Sequence, residues 1–179
     1  ALIALCVGII GIFTYIVLRF ELSFAIGAIV AVLHDILIAV GIVVLLGEQL
    51  SQIHVAAILT IAGYSINDTI IVFDRIRETL LIRTGEVRVV MNEAINQTLS
   101  RTLLTSSTTI VTVIILAIFG GAALRDFSVT ILVGLVIGTY SSIFVAAPVV
   151  LWWSNRKGGN LRKDVQATVI AAEAMKADA

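Results

Sequence analysis

The sequence predicts an all-α membrane protein, built as a five-helix transmembrane bundle. Of its 179 residues, 59% are hydrophobic and only 13% are charged, and the mean hydropathy is +1.09. Soluble domains contain about 45–50% apolar and about 25% charged residues, so this composition indicates a chain that lies largely in a bilayer. The apolar runs are far longer than the strands of a membrane β-barrel, which would also alternate apolar and polar residues.

Five apolar runs approach the length of about 20 residues that a spanning helix needs. They cover residues 2–18, 24–46, 53–73, 102–124 and 128–152. The sequence RDF at 125–127 is predicted to be a tight turn between the last two. After a turn at TGE, apolar residues recur at helical spacing over 87–99, which predicts an amphipathic helix at the membrane surface. Residues 1–154 are thus predicted to be the transmembrane bundle, and 155–179 a cytoplasmic tail that is partly disordered.

The placement of Lys and Arg predicts the orientation of the bundle. The segment after the third span carries five arginines and the tail carries five basic residues, whereas the loops on the other side carry only Arg125. Because cytoplasmic loops are rich in Lys and Arg, we expect the arginine-rich segment and the C-terminus to be cytoplasmic. An odd number of spans then begins outside, which suggests a further span or an external domain before Ala1.

Several function classes lack their sequence signals. No P-loop and no aromatic-interleaved basic patch is present, so no nucleic-acid partner is expected. Cys6 stands alone and is expected to be a small core residue, and no cofactor or metal site is predicted. No nucleophile elbow or HExxH motif is present, so no enzyme is predicted. Asp35 and Asp68 could formally serve an intramembrane aspartyl protease, but LHDI and SINDT do not match the Tyr-Asp and Gly-x-Gly-Asp patterns of that class.

Asp68 is the polar residue that fits an apolar helix least well. It lies about 15 residues after Ile53, or about 22 Å along the helix. It also lies about 9 Å before Asp74, which with Arg75 is predicted to mark the inner interface. A carboxylate near the bilayer centre costs about 2.5–3.5 kcal/mol on insertion scales. Asp68 is therefore interpreted either as a titrating group on an ion pathway or as a group held by hydrogen bonds between helices.

A polar stripe is predicted on the fourth span. Its members recur at i, i+3 and i+4 and are Arg101, Thr105, Thr108, Thr109 and Thr112. Threonines at this spacing can relay protons, although hydrogen bonding between helices is their commoner role. Arg101 is expected on the same membrane side as Asp68. Since an arginine keeps its charge, a carboxylate facing it would exchange its proton in a coupled way.

Two further groups lie inside the predicted spans. His34 and Asp35 are adjacent in the second span and either join the same polar network or are satisfied locally by hydrogen bonds. Gly134 and Gly138 form a Gly-x-x-x-Gly pattern that allows helices to approach closely, and the serines that follow could add polar lining.

Four long motifs resemble the SecF subunit of the SecD–SecF complex, the bacterial accessory to the Sec protein translocase. In order, they are LTIAGYSINDTIIVFDRIRE, SRTLLTSSTT, FGGAALRDFS and GTYSSIFVAAPVVLW. The resemblance covers about residues 24–153. The sister subunit SecD typically has a string like VDANVLIFERI where this chain has INDTIIVFDRI, and GTYSS also favours SecF.

The resemblance implies an RND-type half bundle, formed by spans two to six of SecF, in the bacterial inner membrane. It implies that the first span and the external domain of the family precede this chain. The expected partners are SecD, a SecYEG-type channel, the translocating preprotein and membrane lipids. The family's proposed proton path includes the Asp of NDT, which is Asp68 here, and the Arg of SRT, which is Arg101. The partner carboxylate on SecD is not in this chain.

The leading functional hypothesis is a subunit that uses the proton-motive force to assist preprotein export. In it, Asp68 takes up and releases a proton, while Asn67 and the threonines of the fourth span, such as Thr105, wet or relay the path. One alternative is a scaffold subunit without proton coupling. Another is an exporter of small molecules or lipids from the same superfamily.

Overall fold

The computed structural model describes residues 2–47, 50–156 and 160–177, where the chain forms seven α-helices and one π-helical turn. The helices are α1 Leu2–Arg19, α2 Leu22–Leu45, α3 Gln52–Ile82, α4 Val87–Phe119, α5 Gly121–Ser141, α6 Ala147–Arg156 and α7 Leu161–Ala177, and the π-helical turn Ser142–Ala146 joins α5 to α6. Positions 1, 48–49, 157–159 and 178–179 lie outside the described residues.

The predicted all-α membrane class is confirmed by the lengths and composition of these helices. Four stretches are long and apolar enough to cross a membrane, namely Leu22–Leu45, Gln52–Ile82, Val87–Phe119 and Leu124–Arg156. The first predicted span is a shorter apolar helix, Ile3–Arg19. The last predicted span corresponds to α5, the π-helical turn and α6, which follow one another without a loop.

Two helices continue beyond the apolar runs that predicted them. α3 extends to Ile82 because Ile76, Thr79 and Leu80 continue its buried face into the polar region. α4 is one helix of 33 residues, so the predicted surface helix 87–99 and the fourth span are continuous. Between α3 and α4 the chain turns at Gly85, whose φ of +117° is a conformation that glycine adopts without strain. We call this end of the bundle the basic end, because most of the arginines lie there.

The predicted turn at RDF is wrong. α4 ends at Phe119 and α5 begins at Gly121, whose φ is +74°. The paired glycines make the turn, because Gly121 adopts a left-handed conformation that side chains disfavour. Arg125 and the two residues after it therefore belong to α5, and the fourth span ends before residue 124.

The tail contains a helix that packs on the bundle, where the sequence suggested partial disorder. In α7, Leu161 and Val165 are buried in the main core. The Arg162 guanidinium donates hydrogen bonds to the backbone carbonyls of Leu80 and Gly85, at 3.2 and 3.0 Å. These bonds hold α7 against the α3–α4 turn. Cys6, expected in the core, is exposed on α1.

Helices α3 and α5 form the centre of the bundle. These two contact each other and both contact α2 and α4, while α1 packs on the outside of α2 and α3. The predicted close approach at the glycines is confirmed, because a Cβ at Gly134 would lie 2.3 Å from Cγ1 of Ile61. At the basic end, Phe24 and Phe73 meet edge to face with centroids 5.1 Å apart. Because Gly134 has no side chain, the Ile61 side chain of α3 packs directly on the backbone of α5.

An ion pair that the sequence did not predict ties α3 to the start of α2. Arg77 Nη2 lies 2.8 Å from Glu21 Oε1, and the two side chains are only 13% and 7% exposed. The Arg77 guanidinium also lies over the Phe20 ring, 5.6 Å from its centroid. This pair fixes the α1–α2 turn beside the extended end of α3.

Candidate functional site

Asp35 lies at the centre of a hydrogen-bonded cluster between α2, α3 and α5. Its side chain is fully buried. The Ser65 hydroxyl of α3 and the Ser141 hydroxyl of α5 both donate to Oδ2, the latter at 2.7 Å. His34 Nδ1 lies 2.9 Å from Oδ1, and a hydrogen on that nitrogen would be donated to the carboxylate. Three helices are therefore joined through one carboxylate.

Gly138 leaves the space in which this cluster forms. A Cβ at position 138 would lie 3.2 Å from Ser65 Cβ and 3.5 Å from Asp35 Oδ2. Because Gly138 has no Cβ, α5 lies close enough to α3 for both serines to reach the same carboxylate oxygen. The interpretation of His34 and Asp35 as locally satisfied by hydrogen bonds agrees with this geometry.

Asp68 is also buried, at 1% exposure, but it is much less satisfied by hydrogen bonds. Among the described residues it accepts one hydrogen bond, from the Ser106 hydroxyl of α4 at 3.3 Å. Ser106 in turn accepts a hydrogen bond of 2.9 Å from Thr139 of α5. The Thr139 hydroxyl has a second acceptor in reach, the backbone carbonyl of Leu135 at 2.8 Å. A short chain of hydroxyls thus leads from Asp68 to the backbone of α5.

Two more buried hydroxyls lie on the helix faces around Asp68. Thr69 follows Asp68 on α3, and Thr102 precedes Ser106 by one turn on the same face of α4. Neither side-chain oxygen has a hydrogen-bond partner within the described ranges. Because unpaired buried hydroxyls are costly in an apolar setting, this region is more polar and less satisfied than the Asp35 cluster.

The predicted threonine stripe of α4 lies on the outside of the bundle. Thr105 and Thr108 are exposed, and Thr109 is half-buried. Their hydroxyls donate to carbonyls of the preceding turn, as for Thr105 to Arg101 at 3.1 Å. Thr109 also accepts a hydrogen bond of 3.3 Å from the Tyr64 hydroxyl of α3. The hydroxyls of the stripe are therefore satisfied by backbone carbonyls of α4, and most of them face outwards.

Arg101 and Asp68 are not brought together in this chain. Arg101 is exposed on α4, and the ion pairs among the described residues include neither of the two side chains. Five residues separate Arg101 from Ser106, which places them about 140° apart around the helix. Ser106 faces Asp68, so Arg101 points away from it.

The remaining predicted residues lie on the surface. Asn67 and Asp74 are exposed on α3. Arg75 is partly buried and bridges α3 to α4, because it donates to Glu78 at 2.6 Å and to Gln97 at 2.8 Å. Asn67 therefore does not share the buried environment of its neighbour Asp68.

Four hydroxyl residues were not assigned to the two carboxylates from the sequence: Ser65, Ser106, Thr139 and Ser141. For Ser65 and Ser106 the sequence did contain a signal. Ser65 precedes Asp68 by three residues and lies on the same side of α3, and Ser106 lies within the hydroxyl-rich stretch TSSTT. Their partners could not be assigned, because the contacts join residues far apart in sequence.

A bundle of apolar helices with two buried carboxylates defines a multi-pass membrane protein. A family model described as protein export membrane protein SecD/SecF, C-terminal, matches residues 1–156. The chain belongs to this family. Because the family consists of protein-export membrane proteins, the prediction that the chain is not an enzyme agrees with it.

The similar curated proteins include SecF subunits. The chain is 52% identical over 151 residues to protein translocase subunit SecF of Rhodothermus marinus, covering 80% of this chain and 49% of that protein. It is 50% identical over 159 residues to SecF of Koribacter versatilis, covering 88% and 39% respectively. The chain thus spans about half or less of the length of these relatives, and the resemblance to SecF is confirmed.

A solved structure shows the same fold. A crystal structure of SecDF, described as a translocon-associated membrane protein from Thermus thermophilus, aligns with a TM-score of 0.76 at 46% identity. The alignment covers 80% of this chain and 20% of that one. A second SecDF structure, in a super-membrane-facing form, also gives a TM-score of 0.76, at 47% identity.

Proposed function

We propose that this chain is the membrane part of a SecF-type subunit that uses the proton-motive force to assist preprotein export. Its membership of the SecD/SecF family and its identity to SecF subunits support this role. The relative SecDF of Thermus thermophilus carries both names in one chain, which supports SecD as the partner. A SecYEG-type channel and the translocating preprotein complete the proposed assembly.

The observation that carries proton coupling is the contrast between the two buried carboxylates. Asp35 accepts bonds from two serines and has a histidine nitrogen beside it, whereas Asp68 accepts one hydrogen bond of 3.3 Å. A buried carboxylate with few donors loses little hydrogen bonding when it takes up a proton. Asp68 is therefore our candidate for the group that binds and releases the proton.

The hydroxyl chain beside Asp68 would respond to that proton by a change in the direction of its hydrogen bonds. When Asp68 is a carboxylate, Ser106 donates to it and Thr139 donates to Ser106. When Asp68 is protonated, it donates to Ser106, Ser106 donates to Thr139, and Thr139 turns to the Leu135 carbonyl, which is already 2.8 Å away. Proton uptake would thus reverse the direction of hydrogen bonding between α3, α4 and α5.

The energy available from one proton is sufficient to bias such a change. A charge that crosses 100 mV releases about 2.3 kcal/mol, which corresponds to a shift of roughly fortyfold in a two-state equilibrium. We propose that this shift alters the packing of the bundle and is transmitted to export.

Arg101 is proposed to act across the interface with SecD. It is exposed on α4, beside the outward-facing threonines. In a membrane, an exposed arginine on a spanning helix needs a partner, and a carboxylate of SecD is the partner implied by the resemblance. The proton path would then lie partly between the two subunits, with Thr105 at its edge.

The membrane topology is proposed to follow the distribution of arginines. Five spans, an RND-type half bundle within residues 1–154, would place the basic end in the bacterial cytoplasm. The tail 155–179 would lie on that side, with α7 packed against the end of α3. α1, a shorter apolar helix than the four candidate spans, is proposed as the first of these spans.

Replacement of Asp68 by asparagine in the intact complex tests proton coupling. Asparagine keeps the shape and the contact with Ser106 but cannot exchange a proton. We expect preprotein export by inverted vesicles to lose its response to the proton-motive force, while SecD still co-purifies with the variant. The control is Asp74→Asn, which removes the same charge from an exposed site on the same helix. A normal response of Asp68→Asn to the proton-motive force would refute the assignment.

A scaffold role is the second candidate, and the Asp35 cluster favours it. A carboxylate that binds three helices together suits assembly rather than proton exchange. If the whole polar core serves assembly, Asp68→Asn should reduce the amount of SecD that co-purifies, and the export per assembled complex should stay unchanged.

A further inference from the structure

The threonine stripe of α4 is joined to another helix at one point. The threonine hydroxyls of the stripe donate to backbone carbonyls of α4 itself. Among the described residues, one hydrogen bond connects the stripe to another helix, and it runs from the Tyr64 hydroxyl of α3 to Thr109 at 3.3 Å. Thr109 is also the threonine of the stripe that is half-buried rather than exposed. Tyr64 therefore lies where the outward-facing stripe meets the interior of the bundle.

Tyr64 lies one turn from Asp68, on the same side of α3. The spacing of four residues places the two side chains on neighbouring turns of one helix face. Their partners on α4, Thr109 and Ser106, are three residues apart in the reverse order. Side chains on a helix lean towards its N-terminus, so Asp68 leans towards the turn that carries Tyr64. Two hydrogen bonds of 3.3 Å, one turn apart, thus join α3 to α4 at the candidate site.

Apolar side chains separate Asp68 from both ends of the bundle. Towards the basic end, α3 continues with Val72, which is fully buried in the main core. Towards the opposite end lies a second and smaller core cluster, which contains Ile61 of α3 and Val113 of α4. Tyr64 packs against this second cluster and is only half-buried. The boundary at Tyr64 is therefore the easier of the two to open.

The hydrogen bond at this boundary can break at little cost. Its length of 3.3 Å exceeds the usual range of about 2.5–3.0 Å for bonds between hydroxyl groups. The Thr109 hydroxyl donates its own hydrogen to the Thr105 carbonyl at 3.0 Å, so Thr109 keeps a partner when Tyr64 leaves. Loss of an average hydrogen bond between membrane helices changes an equilibrium by only about threefold.

We propose that Tyr64 is a gate that controls the access of protons to Asp68 from the outward face of α4. While its hydroxyl is bonded to Thr109, the ring separates the carboxylate from the stripe. When that bond breaks and the ring moves away, water from the stripe side can reach Asp68 and deliver a proton to it. Tyr64 keeps its own proton throughout, so it is a positioning residue and not a proton carrier. This inference rests on the proposed role of Asp68 and adds the residue that controls when its proton is exchanged.

A proton-leak assay tests the gate without preprotein. The complete subunit in its SecD complex is placed in liposomes with a pH gradient, and an enclosed pH-sensitive dye reports proton entry. Tyr64→Phe keeps the ring but loses the hydrogen bond, so proton entry should be about threefold faster than in the parent. Tyr64→Ala removes the ring as well and should be faster still. The matched control is Tyr140→Ala, because Tyr140 is 56% exposed and stacks on Phe144 of the π-helical turn; its proton entry should equal that of the parent.

Thr109→Val tests whether the hydroxyl of Tyr64 acts through its bond to α4. Valine keeps the shape of threonine and removes the acceptor, so this variant should admit protons as fast as Tyr64→Phe. The combined variant should be no faster than either single one, because both changes remove the same bond. Effects that multiply in the combined variant would contradict the gate, since the two hydroxyls would then act independently.

A double variant shows whether the protons pass through Asp68. In Tyr64→Ala combined with Asp68→Asn, the fast proton entry should disappear, because the carboxylate that receives the protons is gone. Fast entry that persists in the double variant would overturn the gate, since protons would then cross the membrane without Asp68. Entry at the parent rate in both Tyr64→Phe and Tyr64→Ala would overturn it as well. Failure of the proposed function itself is recognised separately, because Asp68→Asn alone would then respond normally to the proton-motive force in the export assay.

Discussion

Replacement of Gly134 by alanine tests whether the Ile61 side chain of α3 packs directly on the backbone of α5. A Cβ at this position would lie 2.3 Å from Cγ1 and 2.7 Å from Cγ2 of Ile61. Both carbons branch directly from Cβ of isoleucine, whose χ1 is nearly fixed in a helix. Rotation of the side chain therefore cannot relieve both contacts, and α3 must move away from α5.

The magnitude follows from three contributions. Alanine gains about 1 kcal/mol of helix propensity over glycine. Overpacking of a close contact costs about 1–3 kcal/mol, and the required shift exceeds 1 Å because carbon contacts prefer about 3.5–4.0 Å. One turn further along, Ser65 and Ser141 would also move apart at Asp35, and each hydrogen bond in a membrane protein is worth about 0.6 kcal/mol. We expect a net loss of about 1–3 kcal/mol.

The measurement is thermal unfolding of the purified complex in detergent, followed by intrinsic fluorescence. Gly63→Ala and Gly41→Ala are matched controls, because a Cβ at either position meets nothing within 4 Å. Both controls should be as stable as the parent or more stable, whereas Gly134→Ala should unfold at a lower temperature. If Gly134→Ala were as stable as the two controls, the close packing of α3 on α5 would be refuted.

Two further predictions concern polar groups and use the same unfolding assay. Asp35→Asn should lower the stability by about 1–3 kcal/mol, because its donors lose a charged acceptor, whereas Asp74→Asn at an exposed site should change it by less than about 0.5 kcal/mol; equal effects would contradict the proposed cluster. Arg77→Met should cost about 3–5 kcal/mol, because it leaves the nearly buried carboxylate of Glu21 without its partner. Arg83→Met, which breaks an exposed pair, should cost less than about 1 kcal/mol, and a similar loss in both variants would show that the Arg77 pair is not buried.

The number and type of the helices were predictable because apolar length is a local property of the sequence. Their ends were not, since a helix continues as long as neighbours cover one of its faces. Ile76 and Leu80 lie in a polar stretch, yet both are fully buried, and α3 runs on to Ile82. The turn before α5 was misplaced because charge was taken as its signal. The better signal was Gly121, which supplies the positive φ that the turn requires.

The candidate site was predictable in part. Asp68 stood out because a single carboxylate in an apolar run is rare. The face of α4 that contacts Asp68 could not be predicted, because the regular stripe through Thr105 marks one side of the helix without showing which side faces inward. Ser106 lies off that stripe, and the fold turns it towards Asp68. The partners of Asp35 were also hidden, since Ser141 is 106 residues away in sequence.

The two buried carboxylates differ in what a proton would do to their hydrogen bonds. Oδ2 of Asp35 accepts hydrogen bonds from two serine hydroxyls, so a proton on this oxygen would displace at least one of these donors. A proton on Asp68 displaces no donor, because Ser106 can change from donor to acceptor. Both arrangements end on α5, through Ser141 in the first case and through Thr139 in the second. If Asp68 exchanges a proton as proposed, a fixed contact and a reversible one act on the same segment of α5, directly before the π-helical turn. In the proposed mechanism, the Asp35 contact would therefore hold α5 in place while the Asp68 contact reverses beside it.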